Sequence, residues 1–188
     1  MNTINCNNTN FTAKYLRPVK VEIPKHGTTA NRTAALVELD MDKPVDFGTF
    51  YYTVNHWQNK RASEQTRRIL DVFSESVKPE NSYKFYALTY QKKSLSDNPQ
   101  FDKIQSIAAI ADRGEVKEVL EIYSNPDPLI FNAKAKTLNS ILEEFKGTPF
   151  GVKSSERDKK LYENNGFISE PSFPKSVMFN PNGYNPDK

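Results

Sequence analysis

Two apolar segments on either side of an Arg-Gly pair constrain the fold more than any other feature of this sequence. KIQSIAAIAD (103–112) and EVKEVLEIYS (115–124) are rich in Ile, Val and Ala, and Arg113-Gly114 lies between them. This arrangement is typical of an antiparallel β-hairpin with a tight turn. KAKTLNSILEEF (134–145) follows, with apolar residues at helical spacing along one face. The sequence therefore predicts a helix packed on an antiparallel sheet.

The remaining elements place this hairpin inside a layered domain. AALVELDM (34–41) and YKFYALTYQK (83–92) precede it as predicted strands, and residues 45–77 show a helical pattern. Residues 16–23 form a shorter extended segment. After the helix, the sequence predicts a strand at PFGVK, a short helix at SERDKKLYENNG and a last strand at SVMF. Strands alternating with helices indicate a mixed α/β (α+β) domain. We expect one domain at 14–180, with tails at 1–13 and 181–188.

Composition excludes several classes of protein. The net charge of the 188 residues is +3, from 26 basic and 23 acidic residues, which is too balanced to indicate nucleic-acid or membrane binding. The sequence contains no apolar run of about 18 residues and no apolar segment typical of a secretory signal. One cysteine cannot form an internal disulfide, and two histidines make a metal site unexpected. These features predict a cytoplasmic protein without a metal.

The segment LYENNGF, together with the order of elements, carries a family resemblance. Leu161, Tyr162, Glu163, Gly166 and Phe167 reproduce the pattern L-Y-E-x-x-G-F that follows the fifth strand in the GNAT (N-acetyltransferase) superfamily. The resemblance spans roughly residues 80–180, with a looser match of order from about 34. It implies a mostly antiparallel sheet flanked by helices and splayed between the family's fourth strand, here EVLEIYS, and its fifth, here PFGVK. It also implies acetyl transfer from acetyl-CoA to an amine.

The resemblance implies roles for residues near that splay. Tyr162 would be the general acid that protonates the departing sulfur, since a phenol is protonated at neutral pH. The backbone of Ile122, Tyr123 and Ser124 would bind the cosubstrate and stabilise the thioester oxygen. Ser155 stands where the family usually has Asn, and Asp158 stands where it usually has a small residue.

The family's diphosphate loop maps onto the start of helix 134–145, through Asn132, Ala133, Lys134 and Ala135. Backbone N–H groups at a helix N-terminus bind phosphate, and small residues permit close approach. Ala133 and Ala135 fall on the small positions, whereas Ile130 replaces the usual Arg or Gln, and no Gly lies between 115 and 146. Lys134 supplies positive charge. These departures keep a second hypothesis open, a catalytically inactive GNAT-fold binding module.

Glu121 is the candidate general base, because it interrupts the apolar run Val119-Leu120-Ile122-Tyr123. Burial of a carboxylate on a half-buried strand can raise its pKa, which suits proton abstraction. The alternative is a carboxylate on a solvated face or one paired with a lysine. Glu118, on the opposite strand face, and His56 are the reserve candidates. The sequence thus predicts an acyl-CoA-dependent N-acyltransferase with an amine substrate. An inactive module, or an unrelated α/β binding domain, is the alternative.

Overall fold

A computed structural model describes residues 13–25, 28–58, 63–78, 80–89, 104–126, 132–169, 174 and 177–181. The predicted tails lie almost entirely outside the described residues, so the domain limits at 14 and 180 stay predictions. Ile130 also lies outside them.

The described residues form a seven-stranded sheet in which the strands follow one another in chain order. All neighbouring strands are antiparallel except the parallel pair β5 and β6. This confirms the predicted mixed, mostly antiparallel sheet. The elements are β1 (Lys14–Lys25), β2 (Thr28–Leu39), α1 (Pro44–Gln58), α2 (Ser63–Ser76), β3 (Tyr83–Thr89), β4 (Ile104–Asp112), β5 (Lys117–Ser124), α3 (Ala133–Glu144), β6 (Phe150–Lys153), α4 (Glu156–Glu163) and β7 (Val177–Asn180).

The predicted hairpin is the pair β4 and β5. Asp112 pairs with Lys117, and the N–H of Arg113 donates to the carbonyl of Val116 at 2.9 Å. Gly114 has φ = 81°, a left-handed conformation that glycine adopts without steric cost. The connection is two residues longer than Arg113-Gly114 alone suggested, because residues 115 and 116 also belong to the loop.

The sheet begins earlier in the chain than the sequence indicated. β1 and β2 are both 12 residues long and pair along nearly their whole length, where the sequence predicted only a short extended segment and a strand from residue 34. Residues 28–33 of β2 pair with β1 alone, since pairing with β3 starts at Ala35. Polar residues are tolerated at this margin of the sheet. Pro18 and Pro24 are tolerated too, because β1 is an edge strand.

Helices cover both faces of the sheet and create two cores. The α3/α4 face includes Leu138 and Tyr162 with Ile122 of β5, and the α1/α2 face includes Trp57 and Ile69 with Tyr123. Neighbouring residues of a strand point to opposite faces. Ile122 and Tyr123 therefore belong to different cores, and β5 packs against both.

A β-bulge in β5 opens the sheet beside β6. Ala109 pairs with Glu121 and Ile110 with Val119, so Leu120 is an extra residue in β5. β5 pairs with β6 only from Lys117↔Phe150 to Val119↔Val152. β5 then continues to Ser124, whereas β6 ends at Lys153. The predicted splay is therefore confirmed. We call the gap between residues 120–124 and the end of β6 the β5–β6 cleft.

Candidate functional site

Two helices begin at the open end of the β5–β6 cleft. β5 and β6 are parallel, so their carboxyl ends lie at one edge of the sheet, and the chain enters α3 from β5 and α4 from β6. Ligands bind at such an edge in open α/β sheets. The positive ends of two helix dipoles meet there, which favours an anion.

The two helix starts differ in how their N–H groups are used. Asn132 precedes α3 in a left-handed conformation (φ = 54°), is exposed, and makes no side-chain bond to the first turn. In α4 the hydroxyl of Ser155 accepts the N–H of Asp158 at 3.3 Å. Among the described residues, the first turn of α3 is therefore the start that offers N–H groups without a side-chain cap to a ligand.

Hydroxyl groups fix the first turn of α3 on the sheet. Ser106 of β4 and Thr137 share a buried hydrogen bond, and Ser106 also donates to the carbonyl of Ala133 at 3.5 Å. Ala133 is buried and Ala135 is half-buried. The predicted loop residues therefore stand at a fixed position near the end of β5.

Every second backbone N–H group at the end of β5 points toward the cleft. The N–H of Asn125 donates to Gln105 of β4 at 2.8 Å, whereas the N–H of Ile122 donates to Oε1 of Glu121 at 3.1 Å. Because N–H directions alternate along a strand, Tyr123 shares the direction of Asn125 toward β4. Ser124 shares the direction of Ile122 toward the cleft.

The side chains of Tyr123 and Ser124 point to opposite faces of the sheet. The Tyr123 hydroxyl bonds the Thr66 hydroxyl at 2.7 Å, and its ring meets Trp57 at 4.9 Å, on the α1/α2 face. The Ser124 hydroxyl is buried and has no hydrogen-bond partner among the described residues. Such an atom costs free energy unless something else bonds it. Of the three predicted β5 residues, the structure brings Ile122 and Ser124 to the cleft and Tyr123 to the opposite face.

Glu121 lies half-buried where the sheet opens. Burial raises the pKa of its carboxyl group above the usual value of 4.5, and the charge of Asp158 acts in the same direction. The charges of Lys134 and Arg68 oppose this shift, as does the N–H of Ile122. Arg68 belongs to α2 and Lys134 to α3, on opposite faces of the sheet. Glu121 therefore interacts with charges from both faces, as expected of a group in the gap.

The reserve bases lie elsewhere. Glu118 forms an ion pair with Arg113 at 3.2 Å beside the hairpin loop, and it pairs along the strand with Gly151, before the cleft opens. His56 is exposed on α1. Of these three candidate bases, Glu121 is the one whose charge acts on the pKa of Tyr162.

Tyr162 is held by the end of α4. The N–H of Phe167 donates to the carbonyl of Tyr162 at 3.1 Å, and that of Gly166 donates to Glu163 at 3.1 Å. Gly166 has φ = 81°. These bonds form a Schellman motif, which usually includes an apolar contact between the same two positions. Here the rings of Tyr162 and Phe167 meet at 5.3 Å. The predicted helix end therefore also positions the tyrosine.

The last strand fixes this helix end. Asn165 donates to the carbonyl of Leu161 at 2.7 Å, and Asn180 of β7 donates to the carbonyl of Asn165 at 2.9 Å. Tyr162 is only 4% exposed, and burial raises the pKa of its phenol well above the usual 10.0. The charges of Asp158 and Glu121 raise it further. The phenol therefore stays protonated at neutral pH.

An ion pair that the sequence did not reveal joins α3 to α4. Nζ of Lys134 lies 2.8 Å from Oδ2 of Asp158, and the Ser155 hydroxyl donates to the same oxygen at 3.2 Å. In the family resemblance, Asp158 stands at a position where the family usually has a small residue. Its partner lies 24 positions away in the chain, and only the fold brings the two together.

A cavity of about 500 Å³ lies away from these residues. It is lined by β2, β3 and the end of α2, including Leu39, Phe73, Val77 and Phe85 with Glu38 and Lys84. β4 separates this cavity from β5. It contains none of the predicted site residues.

The described residues contain neither a cluster of metal ligands nor a membrane-spanning helix. No group of three or more His, Cys, Asp or Glu side chains is arranged to hold a metal ion in the described ranges. Within the same part of the chain, every helix is too short or too polar to cross a membrane.

Comparison with known structures identifies the fold. Ribosomal-protein-S18-alanine N-acetyltransferase from Escherichia coli is similar with a TM-score of 0.50 and 13% identity, over 82% of this chain and 97% of the other. A protein from Bacteroides thetaiotaomicron, described as an acetyltransferase of the GNAT family, has a TM-score of 0.50 and 15% identity, over 78% and 86%. No family model and no curated protein matches the sequence. The chain therefore has the fold of the GNAT acetyltransferases, as the motif LYENNGF predicted.

Proposed function

We propose that this chain is a CoA-dependent N-acyltransferase that transfers an acetyl group from acetyl-CoA to an amine. The observation that carries the proposal is the β5–β6 cleft, with a protonated phenol and a carboxylate of raised pKa beside it. Tyr162 and Glu121 are close enough that the carboxylate charge raises the pKa of the phenol. An acid and a base with different pKa values at one site suit acyl transfer.

The residues around the cleft fit the cosubstrate. The uncapped first turn of α3, with Asn132, Ala133, Lys134 and Ala135, would bind the diphosphate. The N–H of Ser124 and its unpartnered hydroxyl would bind the pantetheine arm, with Ser155 as a further donor. The N–H of Ile122 would bind the thioester oxygen after Glu121 releases it.

Two side chains would then move the protons. Glu121 takes a proton from the amine, and the amine nitrogen bonds to the thioester carbonyl carbon. The bond from that carbon to sulfur breaks, and Tyr162 gives its proton to the departing sulfur. The products are an amide and free CoA. Solvent returns a proton to Tyr162 and takes one from Glu121.

Acetyl-CoA binding tests the proposal through the melting temperature. A ligand that binds only the folded state stabilises it by about 2.7 kcal/mol at a hundredfold excess over Kd. For a chain of this length, that free energy raises the melting temperature by roughly 5–10 °C. Adenosine diphosphate, which lacks the pantetheine arm, is the control and should raise it less.

The same measurement separates the alternatives. No shift at millimolar acetyl-CoA would contradict the proposal. A shift without release of free CoA thiol in the presence of a panel of amines would instead support the inactive binding module. The loop without glycine favours that module, so the thiol assay belongs in the same experiment.

A further inference from the structure

One carboxylate contacts two of the polar side chains that were predicted to bind the cosubstrate at the helix starts, Lys134 and Ser155. Asp158 accepts from Lys134 at 2.8 Å and from Ser155 at 3.2 Å through the same oxygen. The side chains of Lys134 and Asp158 are 17% and 25% exposed, so water screens this pair less than it screens a pair on the open surface.

The ion pair spans the open end of the β5–β6 cleft. Lys134 is in the first turn of α3 and Asp158 is in the first turn of α4, and these two turns are where an anion is expected. The charges of Lys134 and Asp158 also act on the pKa of Glu121, Lys134 lowering it and Asp158 raising it. Both groups therefore lie close enough to Glu121 to influence its carboxylate.

We propose that Asp158 sets the affinity of the cleft for CoA by competing with the diphosphate for Lys134. The inference rests on the proposed function. Lys134 must leave the carboxylate when it binds the diphosphate, so cosubstrate entry exchanges one ion pair for another. The remaining Asp158 charge then repels the bound anion. A small residue at this position would impose neither cost, so Asp158 makes this site weaker for CoA than its lysine and helix start alone would.

Asp158→Asn tests the competition, because Asn keeps the shape and an oxygen for Ser155 but removes the charge. CoA should bind the variant roughly threefold to fivefold more tightly than the unaltered protein in low salt, the range expected for one partly exposed ion pair. Titration calorimetry with CoA measures the change. Glu156→Gln is the matched control, since it removes the same charge from an exposed position in the same helix turn. It should change CoA affinity little.

Salt separates charge from packing. Screening shortens the reach of both charges, so the gain of Asp158→Asn should shrink in 0.5–1 M NaCl, where the Debye length approaches about 3 Å. Lys134→Gln should weaken CoA binding in low salt. Melting temperatures measured without ligand show whether each variant is folded.

Three outcomes would overturn the inference while leaving the proposed function in place. CoA could bind Asp158→Asn no more tightly than the unaltered protein, the gain could persist unchanged in high salt, or Lys134→Gln could bind CoA normally. Failure of every folded variant to bind CoA at millimolar concentration would contradict the proposed function itself.

Discussion

Burial acts on the two candidate catalytic residues in complementary ways. For Tyr162 it disfavours the phenolate, which keeps an acid protonated. For Glu121 it disfavours the carboxylate, which makes the ionised form a stronger base. Local patterns in the sequence predicted both residues. The motif LYENNGF indicated Tyr162, and an interruption in an apolar run indicated Glu121. The sequence did not reveal that Lys134, Asp158 and Arg68 adjust the pKa of Glu121, since these residues come from three different helices.

Glu121→Gln should stabilise the protein in a pH-dependent way. The pKa of Glu121 is raised on folding from 4.5, so the folded state binds the proton more tightly than the unfolded chain does. Its contribution to stability is complete below pH 4.5 and is lost as pH rises through the folded pKa. The variant should therefore gain stability relative to the unaltered protein as pH rises from 4 to 7. Urea denaturation across this range measures it.

The matched control for this variant is Glu118→Gln. Glu118 is half-buried and forms an ion pair with Arg113. Its removal should not increase stability at any pH between 4 and 7. A Glu121→Gln variant that became less stable with rising pH, relative to the unaltered protein, would contradict the assignment of a net unfavourable site for the carboxylate.

Tyr162→Phe should reduce turnover by about a hundredfold to ten-thousandfold, the range for loss of a general acid. The Kd for CoA should be nearly unchanged, because the ring and its contact with Phe167 remain. Steady-state release of CoA thiol and calorimetry measure the two quantities. Tyr86→Phe, a buried tyrosine on β3 that packs on Phe145, is the control and should keep normal turnover. Equal losses of turnover and affinity in Tyr162→Phe would show a packing role.

At the scale of elements, the end of α4 could be predicted from the local sequence, whereas the β5–β6 cleft could not. The Schellman motif at 162–167 is local, so Asn-Asn-Gly-Phe predicts it directly. The cleft is not local. The bulge at Leu120 is defined by pairing with β4, and the sequence reached it through the family resemblance rather than through alternation. The bulge also determines the face to which the Tyr123 side chain points. The sequence did not predict that this side chain lies on the α1/α2 face.

Gly166→Ala should destabilise the end of α4. The left-handed conformation at φ = 81° costs an alanine about 1–2 kcal/mol relative to glycine. Gly48→Ala is the control of opposite sign. Gly48 lies within α1, and a Cβ there meets nothing within 4 Å. That substitution should stabilise the protein by roughly 0.5–1 kcal/mol. Chemical denaturation of both variants checks the signs, and a neutral Gly166→Ala would contradict the role of the cap.

At the scale of the whole molecule, the fold is two cores separated by one sheet, and Glu121 at the β5–β6 cleft interacts with charges from both faces. The sequence predicted the order of elements from residue 34 onward. It underestimated the sheet at its start, because the margin formed by 28–33 is polar and carries no alternation of apolar residues. Val19 and Val21 of β1 are nevertheless buried in the core of the α3/α4 face.

Two truncations locate the beginning of the domain. Deletion of residues 1–12, which the sequence predicts to lie in a tail, should leave the free energy of unfolding nearly unchanged. Deletion of residues 1–25 removes β1, including Val19, Val21 and the ion pair of Arg17 with Glu143. Loss of two buried valines alone costs roughly 3–6 kcal/mol. β2 also becomes an exposed edge, which promotes aggregation. Urea denaturation and light scattering compare the two variants. A shorter deletion that destabilised the protein as much as the longer one would place the domain boundary before residue 13.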